Sequence, residues 1–546
     1  MEYFDLGVYS MKVTTSSGDA QTWFDRGLIW VYAYNHEEAI HCFERALEAD
    51  PNCAMAHWGI AYAIGPNYNK QWDAFEEDEK PDCITHAQQA IAKAGGQRNE
   101  ITGKERALIE AIAFRYPKDA SIVEYAPWND SYADAMRTVH EKYSEDLDVC
   151  SLFAEALMNR TPWKLWDLAT GDPAEGADTL EAMSVLETAF EDLGGAWAHP
   201  GLLHMYVHLV EMSPHPEKAL RHGDVLSTLV PDAGHLLHMP THIDVLCGDY
   251  QNVVARNNTA IIADQKFLEK RGADNFYSVY RCHNYHFRIY GAMFLGQLSV
   301  ALESAEQLIA TMPEDFLRSL ADWFEAFVPM KQHVLIRFGL WQKILDQDLP
   351  ADPELYSVTT AMMRYARTVA LSNTGKISEA EAERDAFLAA RAKVPETRML
   401  FNNTCLDILQ VAEQMLLGEL NYHKGEYEKA FDHLRRSVEI DDNMPYDEPW
   451  GWMQPTRHAL GALLIEQGNY EEAEAVYRAD LGVDSTLSRA CQHPGNVWSL
   501  HGLHECLLHR GESVESRQVK LQLDKAVARA EVPIKASCYC RGKAAA

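Results

Sequence analysis

The stretch TWFDRGLIWVYAYNHEEAIHCFERALEADP, residues 22–51, limits the fold more than any other part of the chain. Apolar residues recur in it at three- and four-residue spacings, the period of an amphipathic helix. It also carries a grammar of sizes. Trp23, Gly27, Ala39, Phe43, Ala46 and Pro51 set a large, a small, a small, an aromatic, a small and a proline residue at the offsets of a helix–turn–helix unit of about 34 residues. Small residues let the first helix lie close against the second, and the proline ends the unit. The core of such a fold grows by stacking further units rather than by enclosing a sphere.

The same grammar returns late in the chain. Gly418, Gly425, Ala430 and Leu434 mark one unit, Gly461, Gly468, Ala473 and Tyr477 the next, and Trp498 and Gly502 open a further first helix. Between the ends it is degraded but legible: CGDYQNVVARNNTAIIAD, LGQLSVALESAEQLIA, FGLWQKILDQ and TGKISEAEAERDAFLAARA each place a glycine turn before a helical stripe. No convincing alternating strand pattern is found. The reading is therefore an all-α tetratricopeptide-repeat solenoid, a helix–turn–helix superhelix with room for about 16 units. It assigns residues 1–20 to an N-terminal arm, 21–515 to the superhelix and 516–546 to a C-terminal helix and tail.

With 546 residues the chain is too long for one compact core, which a growing solenoid resolves. Its 81 acidic against 49 basic residues give a net charge of -32. Such a surface repels phosphate backbones and anionic lipid, so neither nucleic acid nor a membrane is expected as a partner. No secretory signal or apolar span is visible, and a cytoplasmic location with reduced thiols is expected. Cys538 and Cys540 form a Cys-x-Cys near the C-terminus, read as part of a frayed tail. Homo-oligomerisation is left open.

Histidine is the chemically loaded residue. Ten of the 23 histidines fall between His199 and His286, and six of them pair at helical spacing: His204 with His208, His238 with His242, His283 with His286. Residues three or four apart share one helix face, so each pair is a two-point clamp. A single such pair is more often core or surface than ligand. Three pairs on helices that stack side by side point to metal. His199, His215, His222 and His235 are read as outer or incidental. Pro240 lies inside the second pair; it kinks a continuous helix, or sits harmlessly at the first turn of a new one.

Imidazole suits copper, zinc, iron and nickel, and a nitrogen-rich set argues against magnesium and calcium. Six imidazoles can hold two ions with three nitrogens each, or some of them one ion; copper is favoured, zinc second. Glu211, three residues past His208, is read as a ligand or a general base. The segment is not His-Glu-x-x-His, because Met205 follows His204. Three loops combine proline, tryptophan and polar residues: GPNYNKQW (65–72), RTPWKLWD (160–167) and MPYDEPWGWMQPTRH (444–458). They are read either as caps on the inner groove or as a pocket. Asn67, Trp163, Trp166, Trp452 and Arg457 are the candidate substrate contacts, and Tyr446 and His458 stand with Glu211 as candidate catalytic groups.

The chain resembles a family of tetratricopeptide-repeat proteins of bacteria and fungi. The likeness is carried by DPNCAMAHWGIAYAIGPN, HMYVHLVE, HMPTHI, HNYHF and YDEPWGWMQPTRHALGALL, and spans roughly residues 18–510. A looser resemblance reaches the animal tetratricopeptide-repeat protein thirty-eight family. It implies the repeat fold and a shared histidine site on His204, His208, His238, His242, His283 and His286, and it implies no particular reaction. The expectation is a copper-dependent oxidase or oxygenase of a small molecule in specialised metabolism. A zinc hydrolase or lyase is the second enzyme reading, and a peptide-binding adaptor the reading from another class. An adaptor groove needs open faces of Lys, Arg and Asn, whereas the inner-face candidates here are His, Trp and Tyr.

Overall fold

A computed structural model describes residues 3–96, 101–119 and 124–541. Among the described residues, helices account for nearly all regular structure; the one sheet is a short antiparallel ribbon of Met399–Leu400 with Asn403–Thr404. The fold class is the all-α helix–turn–helix solenoid that the size grammar predicts. No helix among the described residues is long and apolar enough to cross a membrane.

The first repeat shows how the grammar works. Helices Gly18–Tyr32 and His36–Ala49 are capped by side chains: Ser17 accepts the Ala20 N–H and Asn35 the Glu38 N–H. A Cβ on Gly27 would lie 2.6 Å from the ring of Phe43, and one on Gly59, in the next helix Ala54–Ile64, would lie equally close. Phe43 is fully buried between these two glycines. The late repeats use the same device. Gly418 receives Leu434, while Gly461 of helix Arg457–Glu466 and Gly502 of helix Val497–Arg510 close on the ring of Tyr477.

The chain gathers into two compact units, Met1–Ile243 with Thr259–Ser278, and Asp244–Asn258 with Val279–Ala546. In the first, the extended N-terminal arm is pinned along its length. The Tyr9 hydroxyl donates to Asp148 at 2.6 Å, Thr14 donates to Glu105, and Phe4, Leu6, Met11 and Val13 are buried. In the second, the C-terminal tail departs from the frayed terminus expected. Ser537 sits between the Tyr477 hydroxyl and the His458 carbonyl, Cys540 is fully buried, and Cys538 and Cys540 are joined as a disulfide. A run with no helical period still docks when its backbone meets buried polar partners, and periodicity does not register that. Residues 542–546 lie outside the described part.

Helix Leu147–Met158, which packs on Pro200–Glu211, buries a carboxyl group. Glu155 is 4% exposed; Oε1 accepts from Asn159 Nδ2 at 3.1 Å and Oε2 has no partner. Burial raises its pKa from the usual 4.5 to about 8.

Two outcomes follow from this packing. Gly27→Ala forces a methyl group against Phe43 and is expected to destabilise the first unit by about 1–3 kcal/mol, seen as a lowered thermal midpoint. Between its usual and its raised pKa, Glu155 holds a proton in the folded state that the unfolded chain has released. Stability therefore falls as pH rises from about 4.5 to about 8, by at most ~1.4 kcal/mol per pH unit. Urea midpoints at pH 5.5 and 7.5 should show that slope in the wild type and a shallower one in Glu155→Gln.

Candidate metal centre

The first unit builds a site on the helix Pro200–Glu211, every residue of which is buried. Proline at its first position and His199 as its cap start it cleanly: His199 Nδ1 accepts the Leu202 N–H at 3.1 Å. The Nε2 of His199 lies 3.2 Å from Asp148, which also accepts the hydroxyls of Tyr9 and Tyr32. Burial pushes the Asp148 pKa up, but these three donors outweigh it and hold the carboxyl below its usual range. His199 is thus an anchor. Of the others read as outer or incidental, His222 packs among Phe190, Trp197 and Tyr206, and His215 is exposed beside Glu217.

Gly201 permits the decisive approach. A Cβ there would meet the Tyr32 ring at 2.7 Å and the Ser151 hydroxyl at 2.5 Å, so only glycine lets the end of helix Gly18–Tyr32 come this close. The carbonyls of a helix's last turn lack partners within the helix. That of Tyr32 accepts the Nδ1–H of His204 at 2.7 Å. One turn on, His208 donates its Nδ1–H to Glu211 Oε1 at 2.9 Å. Both imidazoles therefore present Nε2 as a lone pair, the outer-sphere arrangement found around metal-binding histidines.

The third member is His235, from the short helix Gly234–His238. Its Nε2 lies 3.2 Å from that of His204, and one ligand atom each from His204, His208 and His235 all lie within 4.8 Å of one another. Metal–nitrogen bonds of about 2.0 Å in a tetrahedron set nitrogens about 3.3 Å apart, so the first pair already has that separation. His208 Nε2 is buried without a hydrogen-bond partner. Burial, reinforced by neighbouring imidazoles, holds the pKa of all three far below 6.5, so they are neutral imidazoles at any physiological pH. The reading of His235 as incidental is corrected. His235 and His238 are three apart like the chosen pairs, so GHLLHMPTH holds three histidines at helical spacing rather than two.

Pro240 begins a new helix, Pro240–Leu246, which resolves its place in the second pair. His238 Nε2 and His242 Nε2 lie 2.8 Å apart, and His242 Nδ1–H donates to the second oxygen of Glu211 at 2.8 Å. The His208 and His242 rings are 5.9 Å apart between centroids. Glu211, expected as ligand or base, thus has one oxygen engaged by each of two imidazoles and orients both.

Aromatic rings cover the trio. Tyr34 lies 4.6 Å from His204 and 5.5 Å from His235 between centroids, and Tyr68 lies 4.9 Å from His208. Trp163 meets His208 edge-on at 5.7 Å and lies tilted against Tyr68 at 5.1 Å. Two of the three unusual loops therefore reach the histidines. Asn67 lines a cleft beside them, its Oδ1 accepting the backbone N–H groups of Asn69 and Lys70. Trp166 does not line the pocket as expected; its Nε1–H donates to the Leu209 carbonyl at 2.6 Å and ties the loop to the site helix.

The other candidates belong to the second unit. His286, expected as a ligand, directs Nε2 at the sulfur of Met453, 2.8 Å away, among Phe327 and Phe401, and burial lowers its pKa to about 3. It is a core histidine. In the same unit the His283 ring meets Phe287 and Phe401. The Tyr446 hydroxyl donates to Glu448, Trp452 is buried against His333 and Tyr365, and Arg457 forms a two-pronged ion pair with Asp442. Trp452 and Arg457 are thus held by contacts within this unit. His458 lies between Arg337 and Asp480, its Nδ1 2.7 Å from the guanidinium and its Nε2 3.1 Å from the carboxylate.

Two sequence models described as tetratricopeptide repeat match the chain, at residues 20–53 and 455–484. No curated protein matches it. Among solved structures the chain is similar to the APC/C hetero-tetramer Cut9–Hcn1, at 14% identity over 93% of this chain and 76% of that one, with a TM-score of 0.30. It is also similar to the human IFIT1 dimer with m7Gppp-AAAA, at 10% identity over 94% and 92%, TM-score 0.34. Yeast Tom70 matches at 12% identity over 93% and 92%, TM-score 0.26. These scores are low, and the assignment rests on the repeats themselves. The two matched segments, each with an aromatic ring enclosed by glycines of neighbouring helices, make this chain a tetratricopeptide-repeat protein.

Proposed function

We propose that the first unit carries a metal centre on His204, His208 and His235, with His238 and His242 beside it, and that the protein is a copper-dependent oxidase or oxygenase of a small molecule. The observation that carries this reading is the fixed tautomer of His204 and His208. Each spends its Nδ1–H on a buried acceptor and keeps a Nε2 lone pair within reach of a third imidazole. Burying the His208 Nε2 acceptor without a partner costs free energy that an ion would return. The nitrogen-only set suits copper and zinc. A carboxylate base assists the bound water in many hydrolytic zinc sites, and the carboxylate at hand, Glu211, has an oxygen engaged by each of two imidazoles. That favours the redox metal, which when bound supplies one-electron chemistry and binds oxygen.

Protein purified without a histidine tag should retain at least one copper ion per chain by elemental analysis, and His204→Ala with His208→Ala should abolish it. Zinc in place of copper would move the reading to a hydrolase or lyase. A protein that neither retains nor takes up either metal would leave the peptide-binding adaptor. Glu211→Gln should weaken copper affinity about 10–100-fold in competition with a chromophoric chelator, because it disturbs both imidazoles it orients. Unchanged affinity would mean that Glu211 has no part in the site.

A further inference from the structure

Among the described residues, three that are not glycine have a left-handed backbone: Tyr34, Trp163 and Phe401. Each is an aromatic ring laid against a histidine, and two of them, Tyr34 and Trp163, cover the trio of the first unit. That conformation is disfavoured for any residue with a Cβ and persists only where its surroundings hold it. Tyr34 is held by the turn that ends its helix and is 3% exposed, and Tyr68, the third covering ring, is fully buried. Trp163 differs from both. It is half-buried, and the exposed Lys164 follows it.

Trp163 stands at the tip of a turn. The Lys164 N–H donates to the Thr161 carbonyl at 3.0 Å, Pro162 takes the second place, and Trp163 in the third has φ 59°. Proline second and a positive φ third are the marks of a type II turn, whose third place glycine or asparagine normally fills. In a type I turn the third residue has φ of about −90°, which suits tryptophan, and proline fits the second place of either form. The two forms differ by a flip of the peptide between those residues, with the ends of the turn unmoved. Here both ends are tied. Arg160 pairs with Asp130 at 2.7 Å and with Asp178, the Thr179 hydroxyl donates to the Leu165 carbonyl at 2.5 Å, and Trp166 is bonded to Leu209.

We propose that this turn is a gate over His208. In the closed form the indole meets His208 at 5.7 Å and lies against Tyr68 at 5.1 Å, and these contacts hold Trp163 in the left-handed region. Flipping the Pro162–Trp163 peptide to the type I form relieves the backbone, carries the indole off the imidazole and uncovers the unpartnered Nε2. The gate admits an ion or a small molecule to His208, and for that purpose it rests on the metal reading. The movement itself needs no metal.

The test follows the rate at which diethyl pyrocarbonate, which acylates neutral imidazole, modifies individual histidines of the full metal-free chain, read by peptide mass mapping. In the wild type, His208 should react more slowly than the exposed His215. Trp163→Ala should raise the His208 rate about ten-fold and leave unchanged that of His199, buried in the same unit against Tyr9 and Tyr32. Trp163→Gly, which suits the turn and removes the ring, should do the same. With 5-fluorotryptophan incorporated, the fluorine resonance that Trp163→Phe deletes should show exchange between two environments in the wild type. A His208 rate equal to that of His215, a rate unchanged in the folded variants, a rise shared by His199, or a fluorine line without exchange would each overturn the gate. Copper uptake without Trp163-dependent labelling would leave the metal centre standing and end the gate, and such labelling in a protein that takes up no copper would do the reverse.

Discussion

Every neutral imidazole brings one donor and one acceptor into whatever space it occupies, and in a dry interior both must be answered. The first unit is arranged around answering one half of that demand. Tyr32 supplies a carbonyl for His204, and Glu211 supplies one oxygen each for His208 and His242. With those donors satisfied, the Nε2 atoms of His204 and His208 are acceptors by exclusion, and both turn toward His235. The centre is a consequence of where the N–H groups were placed.

That placement is the work of the repeat. The end of helix Gly18–Tyr32 is a Schellman-type turn, with the Tyr34 N–H on the Val31 carbonyl and the Asn35 N–H on that of Trp30. Glycine normally occupies the left-handed position of this motif; here it is Tyr34, at φ 54°. A tyrosine in that region carries strain of about 1–2 kcal/mol. In return its ring lies on the histidines and walls the cleft, which glycine could not do. The same turn leaves the Tyr32 carbonyl open for His204, so one helix end contributes both the acceptor and the cover.

The fold was legible because its signals are local and periodic. Phe43 between Gly27 and Gly59, 32 residues apart, follows from local spacing, as does Tyr477 between Gly461 and Gly502, 41 residues apart. The pairs His204–His208 and His238–His242 were legible for the same reason. Helical spacing reports that two side chains share a face and not what the face meets, which is why His286, spaced like a ligand, packs on Met453 instead. Tyr34 and the Tyr32 carbonyl reach His204 across 170 and 172 residues of sequence, and no local pattern announces such a contact. Trp163 and Tyr68 were half legible: aromatic residues in turns stood out, but their convergence on His208 did not. His235 stands at helical spacing from His238 as His242 does, and spacing alone does not distinguish which of the three meets His204.

Glu211 ties the two histidine couples of this unit into one electrostatic object. It accepts from His208 with one oxygen and from His242 with the other, and both imidazoles are buried. Hydrogen bonds that share an acceptor in a low-dielectric interior do not act independently, since strengthening one polarises the carboxylate away from the other. Any change that draws electron density from His208 makes its N–H a stronger donor, biases Glu211 toward it, and alters how firmly His242 is oriented. The trio and the neighbouring pair therefore cannot be tuned separately. A substitution that acts on one through Glu211 is a substitution in both, and effects of altering His208 and His242 together should depart from the sum of the single changes.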